Sequence, residues 1–430
     1  MIKLLYDISL LGIGYRNRSI SGLMRTAEQL LFSLSELKVL DINFCSSLSF
    51  EVWRYCRQYL QQHPTHSRHS LLPSEIARHN IYLKLAPPGG YPEQPAFKPA
   101  AIAEKVLRRL FELQFKPLGR SDLAEIDIYH SPYHAVPRMV RQTVGIRRFL
   151  TVHDIIPVRY PHYFGLKKNF RSADFDREFN LLQSLQSIDP DTWVICPSRA
   201  TLDDLGNYLN RRIDPDKTAV IPWAAADHFH PCRDATVMDA VKLKYGIPRG
   251  PYILSLGTLE PRKNIVHLIR SFAQLVAQEN LPDLSLVLAG AAGWDYGSIF
   301  EELTRYPQLK QRIIFTGYVA DEDLSPLYSG ALVFVYPSFY EGFGLPPLEA
   351  MQCGTPVITS NTSSLPEVVG EAGIMLNPSD REGLCQQMLA IYRSSALREE
   401  LSARSLEQAR KFSWTACARQ TAAAYRRALY

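Results

Sequence analysis

The sequence predicts an α/β protein of two domains, each with a parallel sheet covered by helices. At 430 residues the chain is longer than one hydrophobic core normally supports. Short apolar runs alternate with helix-forming segments along it, a pattern typical of parallel sheets. A stretch from Pro222 to Gly250, rich in Pro, Asp and His and without apolar periodicity, separates two such series. We therefore expect an N-terminal domain over 1–222, a C-terminal domain over 223–411 and the connection between them at 222–250.

In the first half, apolar runs predict strands at Ile2–Ile8, Asp127–His130, Arg148–Val152, Trp193–Pro197 and Lys217–Ile221. The region from about Phe50 to Leu123 is irregular and contains Pro87-Pro88-Gly89-Gly90, so part of it is expected to be loop.

The second half repeats the alternation more regularly. Helices are expected over 264–278, 297–306 and 346–353. Strands are expected at Tyr252–Leu256, Leu284–Ala289, Arg312–Phe315, Ala331–Tyr336 and Pro356–Thr359. The simplest assembly is two Rossmann-like halves with a cleft between them. Ligands of such sheets bind beyond the carboxyl ends of the strands, so functional residues are expected there.

Composition excludes several classes of protein. No apolar run reaches the roughly 18 residues of a membrane span. The first residues fit a buried strand better than a signal peptide. Seven scattered cysteines without a CxxC pair indicate reduced thiols and no zinc site. These observations predict a cytoplasmic protein.

The net charge of +5 is mild, but basic residues cluster at 105–109 and 138–148. One interpretation is a solvated basic face. The other is attraction to an anionic lipid surface or a phosphorylated acceptor. No nucleic-acid-binding motif accompanies the charge, so a nucleic-acid partner is not expected.

The most informative motif follows the apolar run Ala331–Tyr336. There the chain forms a glycine loop, then two prolines that suit a helix start. Free N–H groups and the helix dipole at such a point bind an anion, typically a phosphate. Glu341 and Glu349 bracket the loop, and carboxylates accept hydrogen bonds from sugar hydroxyls. The arrangement indicates a nucleotide sugar; the alternative is a glycine-rich turn with two solvated acids.

Arg262 and Lys263 lie on the loop after strand Tyr252–Leu256, at the same predicted sheet edge. Two adjacent cations there can bind a diphosphate. Without an anion they are unfavourable at a helix start, because the helix dipole makes that end positive. His153 ends a strand of the first half and would face the cleft from the opposite wall. A lone histidine is usually structural, but the strand end and the following Asp154 favour function.

Other loops leave more than one interpretation open. Gly22, at a helix start after the first strand, would let backbone approach a ligand, but Gly12 and Gly14 form a competing glycine loop. The polar loop 360–367 is either functional or a simple capped turn.

Asp-x-Asp pairs are the candidate metal ligands. The chain contains four, at 174–176, 189–191, 214–216 and 321–323, and none directly follows a convincing strand end. We predict no metal and no cofactor, since Arg262, Lys263 and the helix dipole can stabilise a leaving diphosphate instead.

Together these residues resemble the retaining glycosyltransferases of family 4, which have the GT-B fold. The resemblance covers nearly the whole chain, is strongest over 252–377 and is weak over about 45–123. Glu341 and Glu349 match the family's E-x7-E motif. By that match, Glu341 would meet hydroxyls of the donor sugar and Glu349 those of the ribose. Backbone N–H groups of Phe343, Gly344 and Leu345 would meet sugar and phosphate.

The resemblance extends to both domains. Arg262 and Lys263 match the phosphate-clamping pair, His153 the histidine that contacts the transferred sugar, and Gly22 the first-domain glycine loop. Tyr318-Val319 falls where the family holds the nucleotide base with backbone atoms.

The C-terminal segment 412–430 resembles the tail and helix that cross back onto the first domain. One departure is Thr258, where many relatives carry Arg.

The resemblance implies transfer of a hexose from a nucleoside-diphosphate sugar with retention, by a front-face mechanism. The sequence around His153 and in 344–347 and 363–367 looks most like mannosyltransferases of surface polysaccharides, so the narrowest expectation is GDP-mannose as donor. The acceptor would be a glycan or a lipid-linked sugar, reached by a cytoplasmic protein with a peripheral contact at the inner membrane face. Alternatives are a sucrose- or glucan-synthase-like transferase on a soluble acceptor, and a non-catalytic GT-B binding subunit.

Overall fold

In the described part of the chain, the first sheet has seven strands, all parallel. The computed structural model describes residues 1–17, 22–63, 69, 71–72, 118–164, 180–210, 214–293 and 295–430. The strand order is β3-β2-β1-β4-β5-β6-β7. The strands are β1 (Ile2–Asp7), β2 (Leu40–Cys45), β3 (Leu71–Leu72), β4 (Ile128–Ser131), β5 (Arg147–Thr151), β6 (Thr192–Cys196) and β7 (Thr218–Val220).

Helices of 4 to 14 residues lie between these strands in the described part of the chain. They are α1 (Ser9–Asn17), α2 (Gly22–Ser35), α3 (Phe50–Gln62), α4 (Arg120–Leu123), α5 (Arg138–Gln142), α6 (Ile156–Arg159) and α7 (Arg199–Tyr208). Residues 180–186 are also helical.

The second sheet has six parallel strands in the order β10-β9-β8-β11-β12-β13. They are β8 (Tyr252–Leu256), β9 (Ser285–Ala289), β10 (Ile313–Gly317), β11 (Val333–Tyr336), β12 (Val357–Ser360) and β13 (Ile374–Leu376). The predicted fold class, two parallel-sheet domains of the Rossmann type, is confirmed. The boundaries 1–222 and 223–411 stay a prediction.

The helices that follow β7 in the chain pack around this sheet, except for the last one, which packs against the first domain. They are α8 (Ala235–Lys244), α9 (Ile265–Gln278), α10 (Gly297–Thr304), α11 (Asp321–Ser329), α12 (Leu345–Gln352), α13 (Leu365–Val369), α14 (Arg381–Arg393), α15 (Ser395–Ala409) and α16 (Trp414–Leu429). Among the described residues, none of the helices is both long enough and apolar enough to cross a bilayer.

The predicted strands lie within two residues of their observed bounds, but some elements were missed. In β2, the polar residues Asp41 and Asn43 alternate with buried ones, because one face of this strand is less covered, so no continuous apolar run marks it. The stretch 222–250, predicted to connect the two domains, contains helix α8, which the sequence pattern did not predict. Asp234 caps this helix, and Val241 is its only buried residue, so amphipathic periodicity was absent.

Helix α16 returns the chain to the first sheet, as expected. The Tyr425 hydroxyl lies 2.5 Å from His130 Nδ1, and its ring packs edge-on against Phe149 at a centroid distance of 4.9 Å. All three residues are fully buried, so the last helix completes the core of the first domain.

Candidate active site

The glycine loop joins β11 to α12 and leaves donors exposed at the helix start. Gly344, the residue before α12, has φ of +123°, which favours glycine, and a Cβ there would lie 3.1 Å from the Leu365 side chain. Within the described part of the chain, no acceptor takes the backbone N–H of Phe343, Gly344 or Leu345. These N–H groups at the positive end of the helix dipole can bind an anion.

Serines fix the conformation of this loop. Ser338 Oγ donates to Glu341 Oε1 at 2.6 Å, and Ser363 Oγ accepts the N–H of Glu341 at 2.9 Å. Ser364 Oγ lies 2.6 Å from the carbonyl oxygen of Phe343 and donates to it. The polar segment 360–367, whose role the sequence left open, therefore supports the glycine loop.

Glu341, Arg262 and Lys263 form one buried ionic network. Glu341 Oε2 lies 2.8 Å from Arg262 NH1, and Oε1 lies 2.7 Å from Lys263 Nζ. Arg262 also pairs with Glu260 at 2.6 Å, and Lys263 donates to the Tyr336 hydroxyl. Burial opposes ionisation of Glu341, but both cations and the hydrogen bonds from Lys263 and Ser338 lower its pKa to about 2.

The structure thus brings together three residues that the sequence selected. Glu260 and Tyr336 were missed. The spacing of Glu260, two residues before Arg262, was the available signal for an ion pair. Tyr336 looked like the last residue of a buried strand, and its hydroxyl meets Lys263 only through the fold.

Glu349 occupies a separate, partly buried position on α12. Its carboxyl group accepts a hydrogen bond from the Tyr328 hydroxyl at 2.9 Å. Burial raises the pKa of Glu349 to about 7, although the Tyr328 hydrogen bond and the charge of Arg25 oppose this. Arg25 belongs to α2 of the first domain and pairs with Asp321 at 2.5 Å, so both domains contribute to the surroundings of Glu349.

His153 reaches the glycine loop from the first domain. Its Nε2 lies 2.5 Å from the carbonyl oxygen of Pro132, which only accepts, so Nε2 carries a proton. Burial lowers the pKa of His153 to about 4, and its buried Nδ1 has no partner among the described residues. Nδ1 therefore presents a lone pair toward its surroundings. A Cβ on Gly342 would lie 2.6 Å from the backbone oxygen of His153, which places the two walls in contact.

The remaining predicted residues lie apart from the Glu341 network. Tyr318 is 65% exposed after β10, and Val319 is buried. Gly22 begins α2, and a Cβ at this position would meet no described atom within 4 Å. Packing against the described residues therefore does not require glycine here. In contrast, Gly12 and Gly14 lie inside α1 and not in a loop. A Cβ on Gly12 would lie 2.5 Å from Cys56 Sγ.

Basic side chains of the same chain form ion pairs with acidic residues of the Asp-x-Asp pairs. Asp189 and Asp191 each lie 3.2 Å from Arg148, and Asp323 pairs with Lys244 at 2.6 Å. The pair 174–176 lies outside the described residues. Among the residues that the structure describes, no group of three His, Cys, Asp or Glu side chains could hold a metal ion.

The family model and the similar proteins described next are all glycosyltransferases. The family model for glycosyl transferases group 1 matches residues 239–411. O-antigen chain mannosyltransferase B of Escherichia coli is 38% identical over 299 residues, which cover 70% of this chain and 74% of that protein. Serotype-specific mannosyltransferase WbdA of Escherichia coli is 35% identical over 61% of this chain, which spans only 31% of WbdA.

The fold has solved counterparts. Sucrose-phosphate synthase from Thermosynechococcus elongatus superposes with a TM-score of 0.64 and covers 99% of this chain and 98% of its own. The two sequences are 20% identical, so the likeness shows the fold alone.

Proposed function

Because this chain belongs to the group 1 glycosyl transferases, we propose that it is a mannosyltransferase that uses a nucleoside-diphosphate mannose to build a surface polysaccharide. That it is a glycosyltransferase follows from the family. The sugar is proposed because two similar proteins are named as mannosyltransferases, one of them for the O-antigen chain. GDP-mannose is the narrowest form of the proposal.

The observation that carries the proposal is the pairing of free N–H donors with a charge network beside them. The N–H groups of Phe343, Gly344 and Leu345 suit the donor sugar and its phosphate. Arg262 and Lys263 would stabilise negative charge as the diphosphate leaves. Glu341 is ionised and would accept hydrogen bonds from sugar hydroxyls, and Glu349 would accept those of the ribose. In this proposal neither a metal nor a cofactor takes part.

His153 would contact the transferred sugar. Its Nδ1 lone pair has no partner in the described part of the protein, so a sugar hydroxyl could donate to it. We propose transfer with retention: the bond from the anomeric carbon to the phosphate oxygen breaks, and the bond to the acceptor oxygen forms on the same face. The acceptor proton then passes to the departing phosphate.

The acceptor is proposed to be a glycan or a lipid-linked sugar at the cytoplasmic face of a membrane. Three arginines of the predicted basic cluster, Arg138, Arg141 and Arg147, are exposed around Val144, which is 98% exposed. Arg148 is different, because it is buried and bound to Asp189 and Asp191. It cannot contribute to a membrane contact, and the cluster at 105–109 lies outside the described residues.

The experiment is a donor panel of GDP-, UDP- and dTDP-sugars, scored by thermal shift and by slow donor hydrolysis, with and without excess EDTA. A bound donor raises the unfolding temperature by mass action. We expect GDP-mannose to give the largest shift and measurable hydrolysis in EDTA. A loss of hydrolysis in EDTA that Mn²⁺ or Mg²⁺ restores would contradict metal independence. Binding without any hydrolysis or transfer would favour a non-catalytic subunit.

A further inference from the structure

The start of helix α7 in the first domain lies against the glycine loop of the second domain. Ser198 Oγ donates to the carbonyl oxygen of Gly342 at 2.8 Å, and Thr201 Oγ1 donates to the same oxygen at 3.0 Å. Both side chains are almost fully buried. Ser198 Oγ also accepts the N–H of Thr201 at 3.1 Å, so this serine caps the helix and reaches across the domain boundary at once.

A second contact runs in the opposite direction. Glu367, on α13 of the second domain, accepts the backbone N–H groups of Arg199 at 2.7 Å and Ala200 at 2.8 Å. These are first-turn donors of α7 without partners inside the helix, and they lie at its positive end. A carboxylate from one domain therefore completes a helix of the other.

The Gly342 carbonyl is coupled to a proposed donor-binding group. The peptide bond between Gly342 and Phe343 is planar and trans, so its C=O and N–H point in opposite directions. Holding the oxygen from the first domain therefore fixes the direction of the Phe343 N–H. No protein acceptor among the described residues takes that N–H.

We propose that Ser198, Thr201 and Glu367 are positioning residues that align the Phe343 N–H with the donor when the two domains meet. The inference rests on the proposed function and adds that the first domain sets the geometry of the donor loop in the second. The nucleotide itself would be held by Glu349, Arg262, Lys263 and the N–H groups of Gly344 and Leu345, all in the second domain, while the Phe343 N–H would meet the transferred sugar. Nucleotide affinity should therefore depend little on α7, while turnover should depend on it strongly.

The test is the Ser198→Ala/Thr201→Val double variant of the full chain. Calorimetry with GDP and UDP gives nucleotide affinity, and hydrolysis of the best donor gives kcat. We expect kcat to fall at least about tenfold with the nucleotide Kd within about threefold of the unmodified protein. Thr201→Ser, which keeps the hydroxyl, should retain most of the turnover.

Matched controls separate positioning from folding. Ser394 caps α15 through the N–H of Leu397 and takes no part in this contact, so Ser394→Ala removes an equivalent cap. Glu367→Gln should lower kcat. Glu371 is exposed and lies four residues further along the chain, so Glu371→Gln is the control and should leave kcat unchanged.

An unchanged kcat in the double variant, or equal losses of kcat and nucleotide affinity, would overturn the inference and leave the proposed function standing. The inference would also fail if Ser394→Ala lowered kcat as much as the double variant. A chain that binds no nucleotide and hydrolyses no donor would overturn the proposed function and the inference with it.

Discussion

Glu341 lies between two cations, and the charges of the network cancel before a donor arrives. Arg262 and Lys263 are balanced by Glu341 and Glu260, and the side chains of all four are about nine-tenths buried. Buried charges persist only when paired, because desolvation of a lone ion costs several kcal/mol. An incoming diphosphate must therefore share these cations with Glu341. The carboxylate both orients the cations and lies where sugar hydroxyls are expected.

Removal of Lys263 tests the clamp. We predict that Lys263→Ala reduces kcat/KM at least about tenfold, because hydrogen bonds to charged groups contribute about 1.5–3 kcal/mol. Stability should also fall, since Arg262 is then the one cation paired with Glu341 among the described residues. Lys310, exposed in the same domain, provides the control as Lys310→Ala. Turnover unchanged in both Lys263→Ala and Arg262→Ala would remove the clamp from the mechanism.

Substitutions of the two glutamates should impair different steps, nucleotide binding for Glu349 and sugar transfer for Glu341. Glu349→Ala should weaken the binding of free GDP or UDP, because its proposed partner is the ribose. Glu341→Ala should leave nucleotide affinity nearly intact and impair transfer, because its proposed partner is the hexose. Its unfolding temperature should drop as well, since two buried cations lose a shared carboxylate. Calorimetry beside turnover shows the split; equal losses of nucleotide affinity would refute the placement of Glu341.

Glu349 also predicts a pH dependence of stability. Its folded pKa of about 7 lies above the ordinary value of 4.5, so between those values the folded state holds a proton that the unfolded state has lost. Its contribution to stability is therefore present below about pH 4.5 and is lost as the pH rises through 7. We expect Glu349→Gln to gain in Tm relative to the unmodified protein between pH 5 and pH 8. Parallel Tm profiles of the two proteins would contradict the raised pKa.

At the scale of elements, two helix starts define the site and one helix closes the core. The starts of α12 and α7 meet at Gly342, each contributing to the same loop. Helix α16 covers the first sheet, and its Tyr425 contacts His130. His130 Nε2 also lies 2.8 Å from the Thr151 hydroxyl, at the end of β5. Because β5 leads directly to His153, the last helix supports the wall that faces the donor.

Tyr425 should therefore be a main support of the first domain. Tyr425→Ala is expected to lower the free energy of unfolding by about 3–5 kcal/mol, as for other large aromatic truncations in cores. Tyr425→Phe keeps the ring and loses only the hydrogen bond to His130, so about 1–3 kcal/mol is expected. Tyr430→Ala, fully exposed at the end of the same helix, should change stability by less than about 0.5 kcal/mol. Urea unfolding provides the measurement, and equal losses for Tyr425→Ala and Tyr430→Ala would show that α16 is dispensable.

For the whole molecule, the proposed lipid surface makes a prediction about salt. Near an anionic membrane each cation contributes about 1 kcal/mol, and the attraction weakens as salt rises. We predict salt-sensitive binding to anionic vesicles, which Arg138→Glu with Arg141→Glu should abolish without changing donor hydrolysis. Reversal of Arg233 and Arg249, exposed in the second half, is the charge-matched control. If the protein does not bind anionic vesicles at low salt, the result would support a soluble acceptor instead.

Much of this organisation was readable from local pattern. Strands such as Tyr252–Leu256 are buried on both faces, so they appear as continuous apolar runs. The glycine loop, its prolines and the E-x7-E spacing are also local, because helix starts and φ-permissive turns depend on neighbouring residues. The fold class followed from these signals and the family from their resemblance to known glycosyltransferases, and both are confirmed.

Tertiary structure decided which distant groups meet. Nothing near Ser198 in the sequence indicates that its hydroxyl binds Gly342, 144 positions away. The identical charges of Arg147 and Arg148 conceal that one is exposed and the other is buried against Asp189 and Asp191. Contacts of this kind arise only when sheets and helices pack, because burial and hydrogen-bond geometry depend on the whole fold, whereas turn and strand signals depend on a few adjacent residues.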